Sequence, residues 1–165
     1  MAAIDNDVTA DVMDGLTEEE LRICLFSIGE DSYAIPVDVL TEIISSQKIF
    51  PIPTTPSHVL GVINLRGNIV PIVDIRPALS LPQRSAPGQI AIAKHGTMML
   101  GIVVDNVSAV LSVPLSSVQM LPADAGAQQP AGKNRSRFFK GIIQRESGVA
   151  ALLNIERIID EIRLT

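Results

Sequence analysis

A chain that catalyses must present an activated nucleophile, an acid–base pair, a metal-ligand cluster or a phosphate cradle. The single cysteine, Cys24, has no base that the sequence designates, and its neighbours Ile23 and Leu25 place it in a strand as a packed thiol. His58 follows a Pro-rich loop and His95 precedes Gly96 in an expected hairpin turn; neither has Cys or carboxylate at ligand spacing, so both read as surface residues and no metal site is expected. Asp38, Asp74 and Asp105 each end an apolar run. Caps and turns suit them better than proton transfer. An enzyme built on one of these three carboxylates is nonetheless the opposing functional class. No glycine-rich phosphate motif is present, and no cofactor is expected.

The residues left over suit binding rather than bond-breaking. In GVINLRGNIVPIVDI, two apolar runs flank Asn64-Leu65-Arg66-Gly67. Gly67 takes φ > 0 freely and Asn64 tolerates turns, but no turn type asks for an Arg at position 66. Glu42, in Leu40-Thr41-Glu42-Ile43, is either a solvated charge beside core positions or an exposed carboxylate on a binding surface. Lys133, Arg135, Arg137, Lys140 and Arg145 surround Phe138-Phe139. That cluster reads as a solvated loop entering a strand, or as a patch for an acidic protein. Nucleic acid is disfavoured, because aromatics are few and the body of the chain is nearly neutral.

The charge distribution makes that neutrality explicit. Residues 1–20 hold seven acids and no base, leaving 11 acids against 13 bases in the rest of the 165-residue chain. The acidity belongs to a flexible leader, residues 1–20, which lacks the basic and apolar regions of a signal peptide. The longest uncharged stretch, Asn106 to Ala123, contains four Ser, two Pro and a Gln, so no membrane span is expected. A lone Cys suits a reducing compartment, and the expectation is a cytoplasmic protein. Val and Ile dominate the apolar residues, which favours strands.

Ten short strands are expected: Arg22–Ile28, Tyr33–Val37, Ile49–Pro53, Val59–Leu65, Asn68–Val73, Ile90–Lys94, Met98–Val104, Val110–Val113, Gly141–Ile143 and Val149–Leu153. Together they indicate an all-β barrel or sandwich. Pro36 and Pro71 lie inside such runs and are expected at edges or bends. Thr17-Glu18-Glu19-Glu20 has the form of a capping box, from which a helical turn could follow. Asn154–Ile162 has an N-cap and apolar residues at 155, 158, 159 and 162, one face of a helix.

The chain also resembles itself. Tyr33–Asp38 aligns with Leu100–Asp105 at an offset of 67, and Gly61–Leu79 with Gly141–Ile159 at an offset of 80. The difference of 13 residues is assigned to a loop insertion, 122–137, rich in Ala, Gly, Gln and Pro. In the second copy Asn64-Leu65-Arg66-Gly67 becomes Gln144-Arg145-Glu146-Ser147. A turn persists with the charge at the Arg66 position reversed, so the turn itself does not require Arg66. Glu42 likewise faces Ala109 in the alignment.

The segments FSIGEDSYAIPVDVLTEI, GVINLRGNIVPIVDIR, GIVVDNVSAVLSV and GIIQRESGVAALLNIERII, in that order, resemble the CheW-type coupling proteins of bacterial chemotaxis. The resemblance runs from Leu21 to Ile162. It implies one domain, 21–162, of two intertwined SH3-like five-stranded β-barrels with short helices, including one at the C-terminus. It further implies no catalytic activity, no cofactor, and a monomer when free. The implied partners are the cytoplasmic domain of chemoreceptors, near the groove between barrels, and the regulatory domain of a histidine kinase, at barrel ends. Localisation would be cytoplasmic, at membrane-associated receptor arrays. By the resemblance, Leu40 and Glu42 match a partner-contacting segment, and Gly61, Asn64, Arg66 and Gly67 match the signature Gly-x-x-Asn-Leu-Arg-Gly. Val107 and Val110 match positions bordering the receptor groove. A non-flagellar pathway, such as surface sensing or pilus control, is the alternative within the same family.

Overall fold

Branched side chains crowd a helix but pack well on a pleated surface, and the Val- and Ile-rich runs fold accordingly. The computed structural model describes residues 19–53, 58–82, 88–121 and 138–163. The acidic leader up to residue 18 and the loop 122–137 therefore lie outside the described residues. The strands are β1 (Glu20–Ile28), β2 (Asp31–Pro36), β3 (Leu40–Ser45), β4 (Val59–Leu65), β5 (Asn68–Val73) and β6 (Gln89–His95). They continue with β7 (Met98–Val104), β8 (Asn106–Pro114), β9 (Val118–Met120), β10 (Phe139–Arg145) and β11 (Gly148–Leu153). The α-helix α1 (Ile155–Arg163) follows, and among the described residues three-residue 3₁₀ turns occupy Val37–Val39, Pro77–Leu79 and Leu115–Ser117.

Two sheets result, ordered β8-β1-β2-β11-β10-β9 and β3-β6-β7-β5-β4. The internal repeat explains both orders at once. Moved by the offsets of 67 and 80, β1, β2, β4 and β5 land on β6, β7, β10 and β11, while β3 lands on β8. Each sheet therefore takes the opening hairpin of one copy and the remaining strands of the other. The register follows the same rule: Leu152 pairs with Ala34 in parallel where β11 meets β2, and the equivalent Ile72 pairs with Gly101 where β5 meets β7. The isolated bridge Phe50↔Val62 is the first copy's counterpart of β9, where Gln119 pairs with Ile142. The architecture is thus all-β, two intertwined SH3-like barrels with a C-terminal helix. In neither sheet are the first and last strands paired with each other, so each barrel remains open at one seam.

Three apolar clusters fill this arrangement. Ile23, Leu25, Ile143, Ala150 and Leu152 fill one barrel; their copy-mates Ile90, Ile92, Ile63, Val70 and Ile72 fill the other. The third cluster lies between the barrels and includes Phe26, Tyr33, Ile35, Val73, Leu100, Ile102, Leu153 and Ile158. Strand β2 feeds both kinds, with Ala34 in a barrel and Tyr33 and Ile35 between barrels, and so is buried on both faces. At Gly101, a Cβ would come within 2.6 Å of Ile72 Cδ1 and 2.8 Å of Ile90 Cγ2; these Ile side chains occupy the space that Ala34 claims in the other barrel. Helix α1 matches its periodicity: Ile155, Ile158 and Ile159 are buried between the barrels, and Asn154 Oδ1 accepts the Arg157 N–H at 3.0 Å as N-cap.

Five local expectations are corrected. Leu40–Ser45 and Val118–Met120 are strands, whereas Ile49–Pro53 contributes only the Phe50 bridge. No helical turn follows the capping-box residues, because Glu20 already pairs with Pro114 in β1. Pro71 is not at an edge, since β5 lies between β7 and β4. It is tolerated because Val62 spends its own N–H and C=O on Phe50 (2.9 and 2.8 Å), which makes Val62↔Pro71 a non-hydrogen-bonded pair. The pairing with β7 starts only at Ile72, so no partner misses the Pro71 N–H.

A polar tie joins the two copies. Arg76, 5% exposed, extends Nη2 to Asp105 Oδ1 at 2.5 Å, while Asp105 Oδ2 accepts the Gly29 N–H at 2.7 Å. The Arg76 N–H in turn donates to Asp74 Oδ1 at 3.0 Å. Two of the three aspartates that end apolar runs thus hold corners of the fold. Removing Asp105 would leave the buried guanidinium without a counter-charge. Asp105→Ala is expected to lower stability by about 2–3 kcal/mol, below the figure for a fully buried pair because the carboxylate is partly solvated. Urea unfolding of wild type and variant measures this; an unchanged midpoint would show that water replaces the carboxylate.

Candidate functional site

The hairpin joining β4 to β5 closes with Leu65 opposite Asn68, which leaves Arg66 and Gly67 as a two-residue loop. Their φ values are 51° and 90°, both left-handed, as a type I′ hairpin turn requires. Gly67 meets that demand without strain, and its N–H donates to Asn64 Oδ1 at 2.8 Å. Arg66 does not: a Cβ opposes this conformation, and Gly, Asn or Asp is the usual solution. In the second copy Glu146 and Ser147 fill the equivalent loop between Arg145 and Gly148, and neither has positive φ. The turn thus carries an Arg that its backbone disfavours.

What the Arg66 side chain does is set by β3. Leu40 pairs with Ala93 and Glu42 with Ile92, so Thr41 is the extra residue of a β-bulge, its hydroxyl donating to the Ile92 carbonyl at 3.1 Å. Beyond the bulge, the Glu42 carboxylate receives the Arg66 guanidinium twice, Nη1 to Oε1 at 3.4 Å and Nη2 in close ion pair with Oε2. The hydrogen bond to Glu42 first, and its charge second, hold the guanidinium more firmly protonated than usual. Strand β3 is the first of its sheet and the β4–β5 hairpin contains the last. The ion pair therefore spans the open seam of the barrel. With the Arg66 side chain 67% exposed, water screens the pair and it adds little stability. Its consequence is positional: two opposite charges are fixed at one accessible place.

The other candidates divide. Leu40, two residues before Glu42, and Val107 on β8 are half-buried against the cluster between the barrels, which puts both at the seam between sheets. Val107 also donates its N–H to Gln89 Oε1 of β6 at 3.2 Å. Val110 lies on the outside of β8, 53% exposed. Gly61 has a structural duty: at φ 148°, a Cβ would stand 2.2 Å from the Phe50 carbonyl oxygen. Its copy-mate Gly141 has the Gln119 carbonyl at 3.2 Å from the same point.

Two surfaces escaped the sequence reading. Phe50 is half exposed, with Lys48 Nζ 5.1 Å from its ring centroid, and Ile52 and Leu60 on the same chain segments are also exposed. A groove of about 340 Å³ is lined by Tyr33, Leu79, Leu81, Phe139, Val149 and Ala151. The Tyr33–Phe139 ring pair at 5.9 Å is its aromatic floor, and only the spacing of strands remote in sequence creates it.

The groups weighed for chemistry have other occupations. Cys24 is buried, which pushes its thiol up from the ordinary range. His95 Nε2 lies 3.9 Å from Glu156 Oε2, a carboxylate brought by α1. His58 is not a plain surface residue: its ring packs 6.0 Å from Phe138, and its carbonyl accepts the Asp74 N–H. Among the described residues, no three His, Cys, Asp or Glu side chains are grouped to hold a metal ion. Of the basic cluster, Lys140 and Arg145 are on β10, and Lys133, Arg135 and Arg137 lie outside the described residues.

The model of the CheW-like domain family matches residues 22–163. The chemotaxis protein CheW of Klebsiella aerogenes is 31% identical over 137 residues, covering 82% of this chain and 79% of that protein. Protein FrzA of Myxococcus xanthus is 25% identical over 148 residues, 87% of this chain and 88% of the relative. Among solved structures, the scaffolding protein TtCheW from Thermoanaerobacter tengcongensis superposes with a TM-score of 0.70 at 25% identity, covering 81% of this chain and 88% of that one.

The contacts distinguish the two signature glycines. Gly61→Ala is expected to cost about 1–3 kcal/mol, through collision with the Phe50 carbonyl and loss of the two backbone bonds between Phe50 and Val62. Gly67→Ala, with open space around the added Cβ, carries only the backbone penalty of roughly 1 kcal/mol. Thermal unfolding of both variants measures the gap; equal losses would mean that the approach of Phe50 is not what holds position 61.

Proposed function

The chain belongs to the CheW-like domain family, and on that premise we propose that it is a non-catalytic adaptor coupling the cytoplasmic tips of chemoreceptors to the regulatory domain of a CheA-type histidine kinase. The observation that carries this reading is the Arg66–Glu42 pair, held exposed across a barrel seam by a turn that pays backbone strain to keep an Arg. Such a charge pair suits recognition of a polar partner surface, and Arg is favoured at the energetic centre of interfaces. Leu40 and Val107 at the seam between sheets, with Val110 beside them on β8, supply apolar contact. Asn64, Gly67 and Gly61 hold the hairpin that presents Arg66.

The mechanism is that of a scaffold. Binding receptor and kinase together converts their encounter into an intramolecular one and raises the effective concentration of each for the other. A receptor state that contacts the adaptor–kinase unit differently then shifts the kinase between its own states. The adaptor crosses no membrane in this scheme, and among the described residues no helix is long and apolar enough to do so. The similarity to FrzA, a relative whose name is not that of a chemotaxis protein, favours one second reading: the same adaptor chemistry in a non-flagellar chemosensory pathway.

Arg66→Ala separates binding from folding. The variant is expected to keep its circular dichroism spectrum and melting temperature while binding a receptor-tip fragment or a kinase regulatory domain about tenfold to a hundredfold more weakly. Titration calorimetry with each fragment measures it. Wild-type affinity for both would remove Arg66 from the interface, and no binding of either fragment by the wild-type chain would remove the adaptor reading itself.

A further inference from the structure

The internal repeat breaks after Leu79, and a groove opens there. In the second copy helix α1 runs on to Arg163, and Ile162 in its later part packs against the apolar cluster between the barrels. The same stretch of the first copy begins alike, with Ile75 and Leu79 buried as Ile155 and Ile159 are in the other. It then stops after the 3₁₀ turn Pro77–Leu79. Ser80 takes a left-handed conformation, φ 60° and ψ 36°. Leu81 N–H donates back to the Arg76 carbonyl at 3.0 Å, and Ser80 N–H to the Pro77 carbonyl at 3.2 Å. That is the Schellman stop of a helix, built on a Ser although Gly is the residue that adopts this conformation freely. At the same offset, Pro82 stands in the place of Ile162.

The truncation leaves apolar surface without a cover. The groove of about 340 Å³ is lined by Leu79 and Leu81 of the stopped turn, by Tyr33 and Phe139, and by Val149 and Ala151 of β11. Val149 is 57% exposed, although β11 lies inside its sheet between β2 and β10. The Leu79 and Leu81 N–H groups both donate to the Arg76 carbonyl, so this side of the groove is set before any ligand arrives and an occupant loses little to ordering it. A strained residue beside a preformed apolar groove is a combination characteristic of binding sites. Among the described residues that line the groove, Asp31 is the charged one. It is exposed at the start of β2, with the exposed Glu30 preceding it in the turn.

We propose that this groove is a further docking site, which receives a short segment of a partner protein carrying a large apolar side chain with a Lys or Arg beside it. The apolar side chain enters over Tyr33 and Phe139 and takes the part that Ile162 plays in the other copy, while the cation meets Asp31. Charge chooses among the occupants. Residues 1–20 of the chain itself hold seven acids and no base, and an anionic membrane surface has the same sign, so Glu30 and Asp31 disfavour both. The groove is short, and its affinity therefore rests on one buried anchor rather than on a broad interface. Strands β2, β10 and β11 belong to the six-stranded sheet, whereas Glu42 and the hairpin of Arg66 belong to the five-stranded one. The site shares no residue with the adaptor reading and stands independently of it.

Panning a random dodecapeptide library, displayed on phage, against the full chain tests this, with titration calorimetry of the enriched sequences as free peptides. These are expected to share a Leu, Ile, Met or Phe with a Lys or Arg within about one helical turn of it. The tightest is expected to shift the amide resonances of Ser32, Tyr33, Val149 and Ala151. Asp31→Lys reverses the charge at the groove, and Val149→Arg sets a cation within it; each is expected to weaken that peptide about tenfold or more. Both residues are exposed, and melting temperatures verify that the variants fold; either suffices if the other does not. Enrichment of acidic peptides, or of none, overturns the proposal. So do resonance shifts confined to the surroundings of Glu42 and Arg66, and so does wild-type affinity in a folded variant, because the peptide then binds another surface.

Discussion

The exchange of opening hairpins between the two copies is the constraint on which the rest of this structure depends. Strands β1 and β2 complete the sheet made by the second copy, and β6 and β7 complete the sheet made by the first. Each exchanged strand must serve a barrel core on one face and the core between barrels on the other. Two-faced burial abolishes the alternation of apolar and polar residues that marks a half-exposed strand. Tyr33–Pro36 and Leu100–Val104 are accordingly buried without interruption. Among the described residues, the buried cation Arg76 reaches Asp105 across the copy boundary, and the Gly29 N–H donates to the same carboxylate from the turn of the exchanged hairpin.

Much of this was legible in the sequence because repetition leaves a signal that does not depend on propensity. The offsets of 67 and 80 matched strand to strand, and the periodicity of residues 155, 158, 159 and 162 found the helix and its buried face. The misses have local physical causes. Strand β3 was hidden because the bulge at Thr41 breaks its alternation and its edge position exposes Ser45 and Thr41. Strand β9 is too short to carry a pattern. Pro71 is expected at an edge or a bend by the rule that no ladder N–H be missed, yet it lies inside the sheet at a place in the ladder that needs no N–H. The capping box preceded a strand because pairing with β8 outweighed a single favourable turn of helix.

The candidate site shows the same division. Asn64 and Gly67 could be read as turn formers, and the internal comparison isolated Arg66 as surplus to the turn. Its ion pair with a residue 24 positions away could not be read, because no spacing rule links a bulged edge strand to a hairpin on the far side of a sheet. Gly61 illustrates the reverse case, a residue placed with a binding signature whose visible duty is to admit the Phe50 backbone. A signature of this kind mixes residues that meet a partner with residues that build the platform. Only coordinates separate the two sets.

The hairpin exchange also bears on how the chain comes to be folded as it is synthesised. Leu25 and Ala34 are sealed by partners as late as Ala109 and Leu152, so little of the first barrel can close until nearly the whole polypeptide has emerged. Long-range pairings of this kind slow folding and leave apolar strands waiting. The second barrel differs: β3, β4 and β5 wait only for β6 and β7, which end at Val104. The barrel that presents Arg66 can thus form first, and the last strand to arrive, β11, completes the other.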